Sequence, residues 1–233
     1  MASPSVARRA PRHEIETDDV VMMRAAELAE WARKNARAVM YTTAAVLLAV
    51  VGVLYYNIYK TQRAERAATA YLQVQAGLPN DTTQAIRALQ NFTAQYPGTT
   101  EADEARIATA QILLSKGDAA RAITALRPAA DGGTPVSLQA RYVLGAALAQ
   151  AGKRQEAIST YQELANDAKL GYLKRDALNQ VALLREQAND WKGAAEIYTQ
   201  MLDGLDKGSA ERQIVELHLA EAQARAGLAA AAK

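Results

Sequence analysis

One uncharged apolar segment constrains the fold of this chain more than any other feature. Residues 38–59 (AVMYTTAAVLLAVVGVLYYNIY) contain no charged side chain, and as a helix they are about 33 Å long, enough to cross a hydrocarbon core of about 30 Å. Aromatic residues that favour the headgroup level stand near its two ends, namely Trp31, Tyr41, Tyr55, Tyr56 and Tyr59. The segment predicts a transmembrane helix over residues 38–59, and the core helix of a soluble domain is the alternative.

The charges on either side of this segment indicate its orientation. Seven Lys and Arg residues lie within residues 1–37, whereas residues 60–79 hold three, and the positive-inside rule places the richer side in the cytoplasm. A cleaved signal peptide is not expected, because the apolar stretch does not lie close to Met1 and has no small-residue cleavage site. We therefore expect a single-pass protein of a bacterial inner membrane. Residues 1–37 are its cytoplasmic tail, in which Thr17 caps a helix from about residue 18, and residues 60–233 are its periplasmic domain.

Residues 60–233 contain an internal repeat. Small residues recur at intervals of 37, 35 and 37 residues, at Ala85, Ala122, Ala157 and Ala194. Four residues after each of them stands a large side chain: Leu89, Leu126, Tyr161 and Tyr198. A second column of small residues stands twelve residues before the last three alanines: Ala110, Gly145 and Ala182. This pattern predicts stacked helix pairs, because small residues let two helices approach closely while a larger side chain fills the adjacent groove.

Turn residues separate the two helices of each predicted pair. Gly117 and Gly152 break the first two pairs, and Asn189 takes the equivalent place in the third. The units resemble the tetratricopeptide repeat family, whose consensus has small residues, an aromatic and a closing proline in these columns. The match is divergent, since Gln73 occupies a small-residue position and Arg141 an apolar one. We expect an all-α solenoid whose first helix, over residues 60–76, continues the span, and whose last helix, over residues 210–227, has no partner.

No residue pattern in the chain indicates catalysis. The sequence has no Cys, only two His and a net charge of +2, which argues against thiol chemistry, Cys-based metal sites and nucleic acid as a partner. His13 and His218 lie at opposite ends of the chain, so neither a catalytic triad nor a metal site is expected. Residues 101–104 (EADE) are interpreted as a solvated helix start, and residues 132–135 (GGTP) as a turn between repeats. We expect no enzymatic activity, cofactor, metal or catalytic residue.

The overall layout resembles the YfgM-type family of bacterial inner-membrane tetratricopeptide proteins. The resemblance is carried by EWARKNARAV before the apolar segment, YYNIYKTQ at its end and ERAATAYLQVQ after it. It implies a short cytoplasmic tail, a periplasmic repeat domain and a role as an ancillary subunit of the Sec translocon that contacts periplasmic chaperones. The hypothesis is a non-catalytic, membrane-anchored adaptor that binds protein partners through its repeats.

A second hypothesis is a structural accessory subunit of another large inner-membrane assembly, such as a respiratory or photosynthetic complex. Residues 42–45 (TTAA) and Gly52 are small and could pack against neighbouring transmembrane helices. Both hypotheses name a membrane protein complex, periplasmic proteins and the lipid bilayer as partners. The sequence alone does not separate them.

Overall fold

A computed structural model describes residues 15–231, and every regular element in this range is an α-helix. The ten helices of this range are α1 (Ile15–Lys34), α2 (Ala36–Ala76), α3 (Thr82–Gln95), α4 (Thr100–Ser115), α5 (Ala119–Ala130), α6 (Pro135–Gln150), α7 (Arg154–Asp167), α8 (Gly171–Gln187), α9 (Trp191–Leu202) and α10 (Ala210–Ala231). The chain divides into two compact units, Met1–Thr61 and Gln62–Lys233. The prediction of an all-α helical-repeat fold is confirmed.

In the first unit, the described chain begins directly with α1. This helix starts at Ile15, so Thr17 lies inside it and the predicted cap at Thr17 is wrong. Asn35 separates α1 from α2, yet the backbone N–H of Asn35 still donates to the Trp31 carbonyl at 2.9 Å and that of Val39 to the Asn35 carbonyl at 3.0 Å. The Asn35 side-chain amide donates to the same Trp31 carbonyl at 3.0 Å. The helical hydrogen bonds thus continue through Asn35 from α1 to α2.

Helix α2 is one uninterrupted element of 41 residues. It contains both the predicted transmembrane segment, residues 38–59, and the predicted first repeat helix, residues 60–76. The expected absence of a turn between these two segments is thereby confirmed. The helix is long and apolar enough to cross a membrane.

In the second unit, neighbouring helices joined by short turns pack as antiparallel pairs. Helices α4 and α5, α6 and α7, and α8 and α9 form three such pairs, while α3 packs on α4 and α10 packs on α9. Helix α4 also contacts α6, so consecutive pairs stack on each other. The unpaired last helix predicted over residues 210–227 is α10, which extends to Ala231.

The turns inside the three pairs share one backbone geometry. Gly117, Gly152 and Asn189 have positive φ angles of 79°, 74° and 58°. The next residue in each turn donates its backbone N–H to a carbonyl five residues earlier: Asp118 to Leu113, Lys153 to Leu148, and Asp190 to Arg185, each at 2.9 Å. These bonds satisfy carbonyls that a helix end leaves unpaired. Asn replaces Gly in the third turn because its short polar side chain tolerates the left-handed conformation.

Candidate functional site

All eleven residues of the predicted packing columns lie buried in the second unit. They are Ala85, Leu89, Ala110, Ala122, Leu126, Gly145, Ala157, Tyr161, Ala182, Ala194 and Tyr198. A close approach of two helices occurs at Gly145. A Cβ atom added there would lie 2.6 Å from Cζ of Tyr161, a ring that is only 2% exposed. Gly145 therefore leaves the space that the Tyr161 ring fills.

The two column tyrosines belong to the core and do not form a ligand cage. The Tyr161 ring meets Tyr142 edge-on, with 5.5 Å between ring centroids, and burial raises the pKa of the Tyr161 phenol well above its ordinary value. The Tyr198 hydroxyl donates to a Glu186 carboxylate oxygen at 3.0 Å. Burial, together with this hydrogen bond, also raises the pKa of Tyr198. His218 stacks on the Tyr198 ring with 5.4 Å between centroids, so this histidine packs at a helix interface.

Arg141 occupies an apolar position of the repeat consensus. Its side chain stabilises the turn that precedes its own helix. Its guanidinium donates to the Ala130 carbonyl through Nε at 3.3 Å and through Nη2 at 3.2 Å, and to the Gly132 carbonyl at 3.0 Å. Its Nη1 pairs with Asp167. The largely buried guanidinium thus replaces apolar packing with hydrogen bonds to carbonyls at the end of α5.

Arg212 performs the same task for the turn that precedes α10. Its Nη1 donates to the carbonyls of Leu202 and Leu205 at 3.1 and 3.2 Å, and its Nε pairs with Glu216 at 2.7 Å. Sequence reasoning singled out Arg141 only as a departure and missed Arg212. The signal that could have found both is an Arg in the first turns of a helix that follows an inter-repeat loop.

Side chains bridge the first helices of successive pairs and the last helix, α10. Gln150 of α6 donates to the Leu114 carbonyl of α4 at 3.2 Å, and Gln180 of α8 donates to the Tyr142 hydroxyl of α6 at 3.4 Å. Arg175 of α8 pairs with Glu211 of α10 at 2.6 Å. These contacts connect α4 to α6, α6 to α8 and α8 to α10.

We call one exposed stripe of residues on these four helices the amide face. It comprises Glu104, Ala108, Gln111 and Ser115 of α4, Gln139, Val143, Ala146 and Gln150 of α6, Asp176, Gln180, Leu183 and Gln187 of α8, and Gln213, Leu217, Ala220 and Ala224 of α10. Every one of these residues is exposed or half-buried. The face holds six glutamines, two carboxylates and no Lys or Arg. Sequence reasoning missed it, because exposed polar positions carry no apolar periodicity.

The second helices present a different surface. Their exposed side chains include charges of both signs, at Arg121, Arg127, Arg154, Glu156, Glu163, Lys192 and Glu196. Three of these charges form ion pairs, since Arg127 and Lys153 both reach Glu156, at 3.5 and 3.0 Å, and Arg121 reaches Asp118 at 3.3 Å. Such a surface is typical of a solvated exterior. The amide face, by contrast, carries only the carboxylates of Glu104 and Asp176.

The aromatic residues predicted to lie at a membrane interface are all exposed in the first unit. Trp31, Tyr41, Tyr55, Tyr56 and Tyr59 expose between 52% and 72% of their surface. None of the most apolar 18-residue stretch of α2 is buried. The alternative of a soluble core helix therefore has no support from the packing of the described residues.

The titratable residues give no sign of a metal centre. Within residues 15–231, no group of three or more His, Cys, Asp and Glu side chains is arranged to hold a metal ion. His13 lies outside the described residues. Residues 101–104 belong to the first turns of α4, where Thr99 caps the helix by accepting the Ala102 N–H at 3.2 Å.

The sequence and the fold each match known repeat proteins. Residues 29–223 match the family model of the tetratricopeptide repeat-like domain. A crystal structure of nearly identical TPR-like repeats, from a Podosopora anserina protein described as a kinesin light chain, is 16% identical. The match covers 72% of this chain and 87% of that chain, with a TM-score of 0.53. A single-residue variant of that protein gives 16% identity, coverage of 72% and 86%, and a TM-score of 0.52. At this identity the likeness concerns the fold alone, and no curated protein matches the sequence.

Proposed function

Because the chain belongs to the tetratricopeptide repeat-like domain family, we propose that it is a non-catalytic adaptor, anchored in a bacterial inner membrane by residues 38–59, that binds protein partners through its repeats. Domains of this family generally mediate protein–protein interactions. Stacked helix pairs create an extended face on which a partner can lie.

The observation that carries the anchor is the exposure of the apolar part of α2. Leu47, Leu48 and Val51 expose 59%, 74% and 61% of their surface, and a contiguous apolar surface of this kind is rare on a soluble monomer. A bilayer would cover it. Thr42, near the start of this surface, is suited to lipid, because its hydroxyl donates to the Ala38 carbonyl at 3.0 Å and is thereby satisfied within the helix.

The direction of insertion rests on charge. The arginine-rich residues 1–37 favour a cytoplasmic N-terminus, and the repeats over residues 60–233 then lie in the periplasm. The exposed aromatic residues on both sides of the apolar segment suit the two headgroup levels.

The anchor and the repeats support one mode of action. A span confines the repeats to a thin layer beside the membrane, where their effective concentration near a membrane partner is raised. The resemblance to the YfgM-type family favours the Sec translocon as that partner, with the repeats contacting periplasmic proteins.

A second candidate is a structural accessory subunit of another inner-membrane complex, such as a respiratory or photosynthetic one. Gly52 favours it, since glycine has no side chain in the middle of the segment. A small open position in a span allows close approach of another helix. In that case the span itself would carry the contact.

Affinity purification in mild detergent, with quantitative identification of co-purifying subunits, tests both candidates. The full-length chain is compared with a version whose residues 38–59 are exchanged for an unrelated span and with a version ending at Arg66, all expressed at equal level. Loss of the partner only on removal of the repeats supports the adaptor, and loss on exchange of the span supports the packed subunit. A full-length chain that purifies alone refutes both.

A further inference from the structure

A cleft opens between the C-terminal part of α2 and the residue that follows α3, entirely within the second unit. Its volume is about 420 Å³, and its walls are formed by Glu65, Arg66, Thr69, Ala70, Gln73 and Tyr96. This volume lies in the range of sites that hold small molecules. The walls carry a carboxylate, a guanidinium, an amide and a phenol, so the cleft can both donate and accept hydrogen bonds.

The polar groups of the cleft are available to a ligand. In the part of the chain that the structure describes, no ion pair includes Glu65 or Arg66. The two side chains are exposed, and consecutive residues of a helix do not face each other. No hydrogen bond among the described residues engages the Gln73 amide or the Tyr96 hydroxyl, whereas the Thr69 hydroxyl donates to the Glu65 carbonyl at 3.1 Å.

A row of aromatic rings fixes the wall that Tyr96 forms. The ring centroids of Tyr96 and Phe92 are 5.1 Å apart, and those of Phe92 and Tyr71 are 5.2 Å apart. Phe92 and Tyr71 are buried, and they belong to α3 and α2. The row therefore holds the Tyr96 ring in a fixed place beside α2, and a preorganised wall lowers the entropic cost of binding.

The cleft follows the predicted span at the height of lipid headgroups. Arg66 lies seven residues after Tyr59 on the uninterrupted helix α2, so the two residues share a face and are about 10 Å apart along the axis. The headgroup layer on each side of a bilayer is about 5–8 Å thick. Helical side chains tilt toward the N-terminus of their helix, which for α2 is the direction of the span. A long Arg side chain can thus reach back to the lipid phosphates.

The charges of the cleft select one class of headgroup. A guanidinium forms charge-assisted hydrogen bonds with a phosphate, and a carboxylate accepts hydrogen bonds from a primary ammonium. A quaternary ammonium has no N–H group to donate to Glu65, and an anionic glycerol headgroup offers that carboxylate no cation. A headgroup that contains both a phosphate and a primary ammonium complements both charges at once.

We propose that this cleft binds the zwitterionic headgroup of a phospholipid with a primary amine, its phosphate at Arg66 and its ammonium at Glu65. The inference rests on the proposed function, because it requires the membrane anchor over residues 38–59. It gives the repeat domain a direct contact with the bilayer in addition to its contacts with proteins.

The test measures whether a lipid occupies the cleft. The full-length chain carries a single cysteine, Thr69→Cys, which removes no free donor because the Thr69 hydroxyl is already bonded. It is reconstituted into vesicles of phosphatidylcholine alone, or of phosphatidylcholine mixed with phosphatidylethanolamine or phosphatidylglycerol of the same acyl chains. The rate of modification by N-ethylmaleimide, a neutral reagent, reports the accessibility of the cleft. Ser159→Cys, at an exposed position of α7, is the control.

Two double variants in the Thr69→Cys background separate the cleft from general effects of lipid composition. Glu65→Gln with Arg66→Gln removes both charges of the cleft, and Arg87→Gln with Glu163→Gln removes one charge of each sign from exposed positions outside it. We expect phosphatidylethanolamine to slow modification about fivefold, as for roughly one favourable charge contact at a membrane surface. The first double variant should lose this protection and the second should keep it. Phosphatidylglycerol should give little protection.

The outcomes distinguish the cleft from the anchor, because flotation with the vesicles in a density gradient is measured on the same samples. For a chain that floats, equal protection of the two double variants, equal protection at Ser159→Cys, or stronger protection by phosphatidylglycerol overturns the headgroup assignment. A modification rate that no lipid changes overturns it as well. In each of these cases the anchored adaptor stands. A chain that does not float with the vesicles overturns the anchor and the inference together.

Discussion

The contact between Gly145 and Tyr161 offers a test of the repeat packing. A substitution that destabilises the native protein should become stabilising when the Tyr161 ring is removed. In Gly145→Ala, the new Cβ atom would lie 2.6, 2.7 and 2.8 Å from three ring atoms of Tyr161. The ring cannot easily move, because it is 2% exposed and held edge-on by Tyr142. Overpacking of a core costs about 1–3 kcal/mol, while Ala in a helix is about 1 kcal/mol better than Gly. We expect a net destabilisation of up to about 2 kcal/mol.

A second substitution should reverse this sign. In a Tyr161→Leu background the outer ring atoms are absent, so Gly145→Ala keeps its helix-propensity gain without the clash and stabilises by up to about 1 kcal/mol. The coupling energy of the cycle is then about 1–3 kcal/mol. Gly227→Ala is the matched control, because a Cβ atom added at this helical glycine meets nothing within 4 Å.

Urea unfolding of residues 62–233, monitored by circular dichroism, gives the free energy of unfolding of each of the four proteins in the cycle. Both residues lie in the compact unit Gln62–Lys233. An equal change on Gly145→Ala in the two backgrounds would refute the close approach of α6 and α7. It would also remove the physical reason for the column of small residues.

Three further predictions concern the turns, the alkaline limit and the topology. Asn189 has a φ of 58°, so Asn189→Ala should lower the free energy of unfolding by about 1 kcal/mol, whereas Asn189→Gly should preserve it in the same urea assay. The native state holds the phenol protons of Tyr161 and Tyr198 to higher pH than the unfolded chain does, since the pKa of each is raised. Their contribution to stability is therefore complete below about pH 10 and falls above it, by up to about 1.4 kcal/mol per pH unit for each tyrosine. The double variant Tyr161→Phe, Tyr198→Phe should show a shallower alkaline decline in urea midpoint than the parent, and an equal slope would contradict the shifted pKa values. Single cysteines at Ser5 and at the exposed Ser159 of this cysteine-free chain test the orientation. A membrane-impermeant thiol reagent added to intact spheroplasts should label Ser159→Cys only. Labelling of Ser5→Cys alone would show that the chain has the opposite topology.

The parts of the fold that sequence could predict are those fixed by local pattern. Three features can be recognised from the residues at definite positions. They are an uncharged stretch long enough to cross a bilayer, a glycine at a left-handed turn and a small residue at a helix crossing. Asn189 illustrates this, since its place in the turn column anticipated its positive φ. The boundary error at Thr17 arose because a threonine before two acids is an equally good local signal when the helix has already begun.

The parts that sequence could not predict depend on contacts between distant segments. Arg141 donates hydrogen bonds to carbonyls of the preceding turn and pairs with Asp167 of the following helix. The residues beside Arg141 in the sequence do not indicate these contacts. The amide face is a property of four helices taken together. Each contributes one or two glutamines, and contacts between distant residues, such as that of Gln150 with the Leu114 carbonyl, connect the helices.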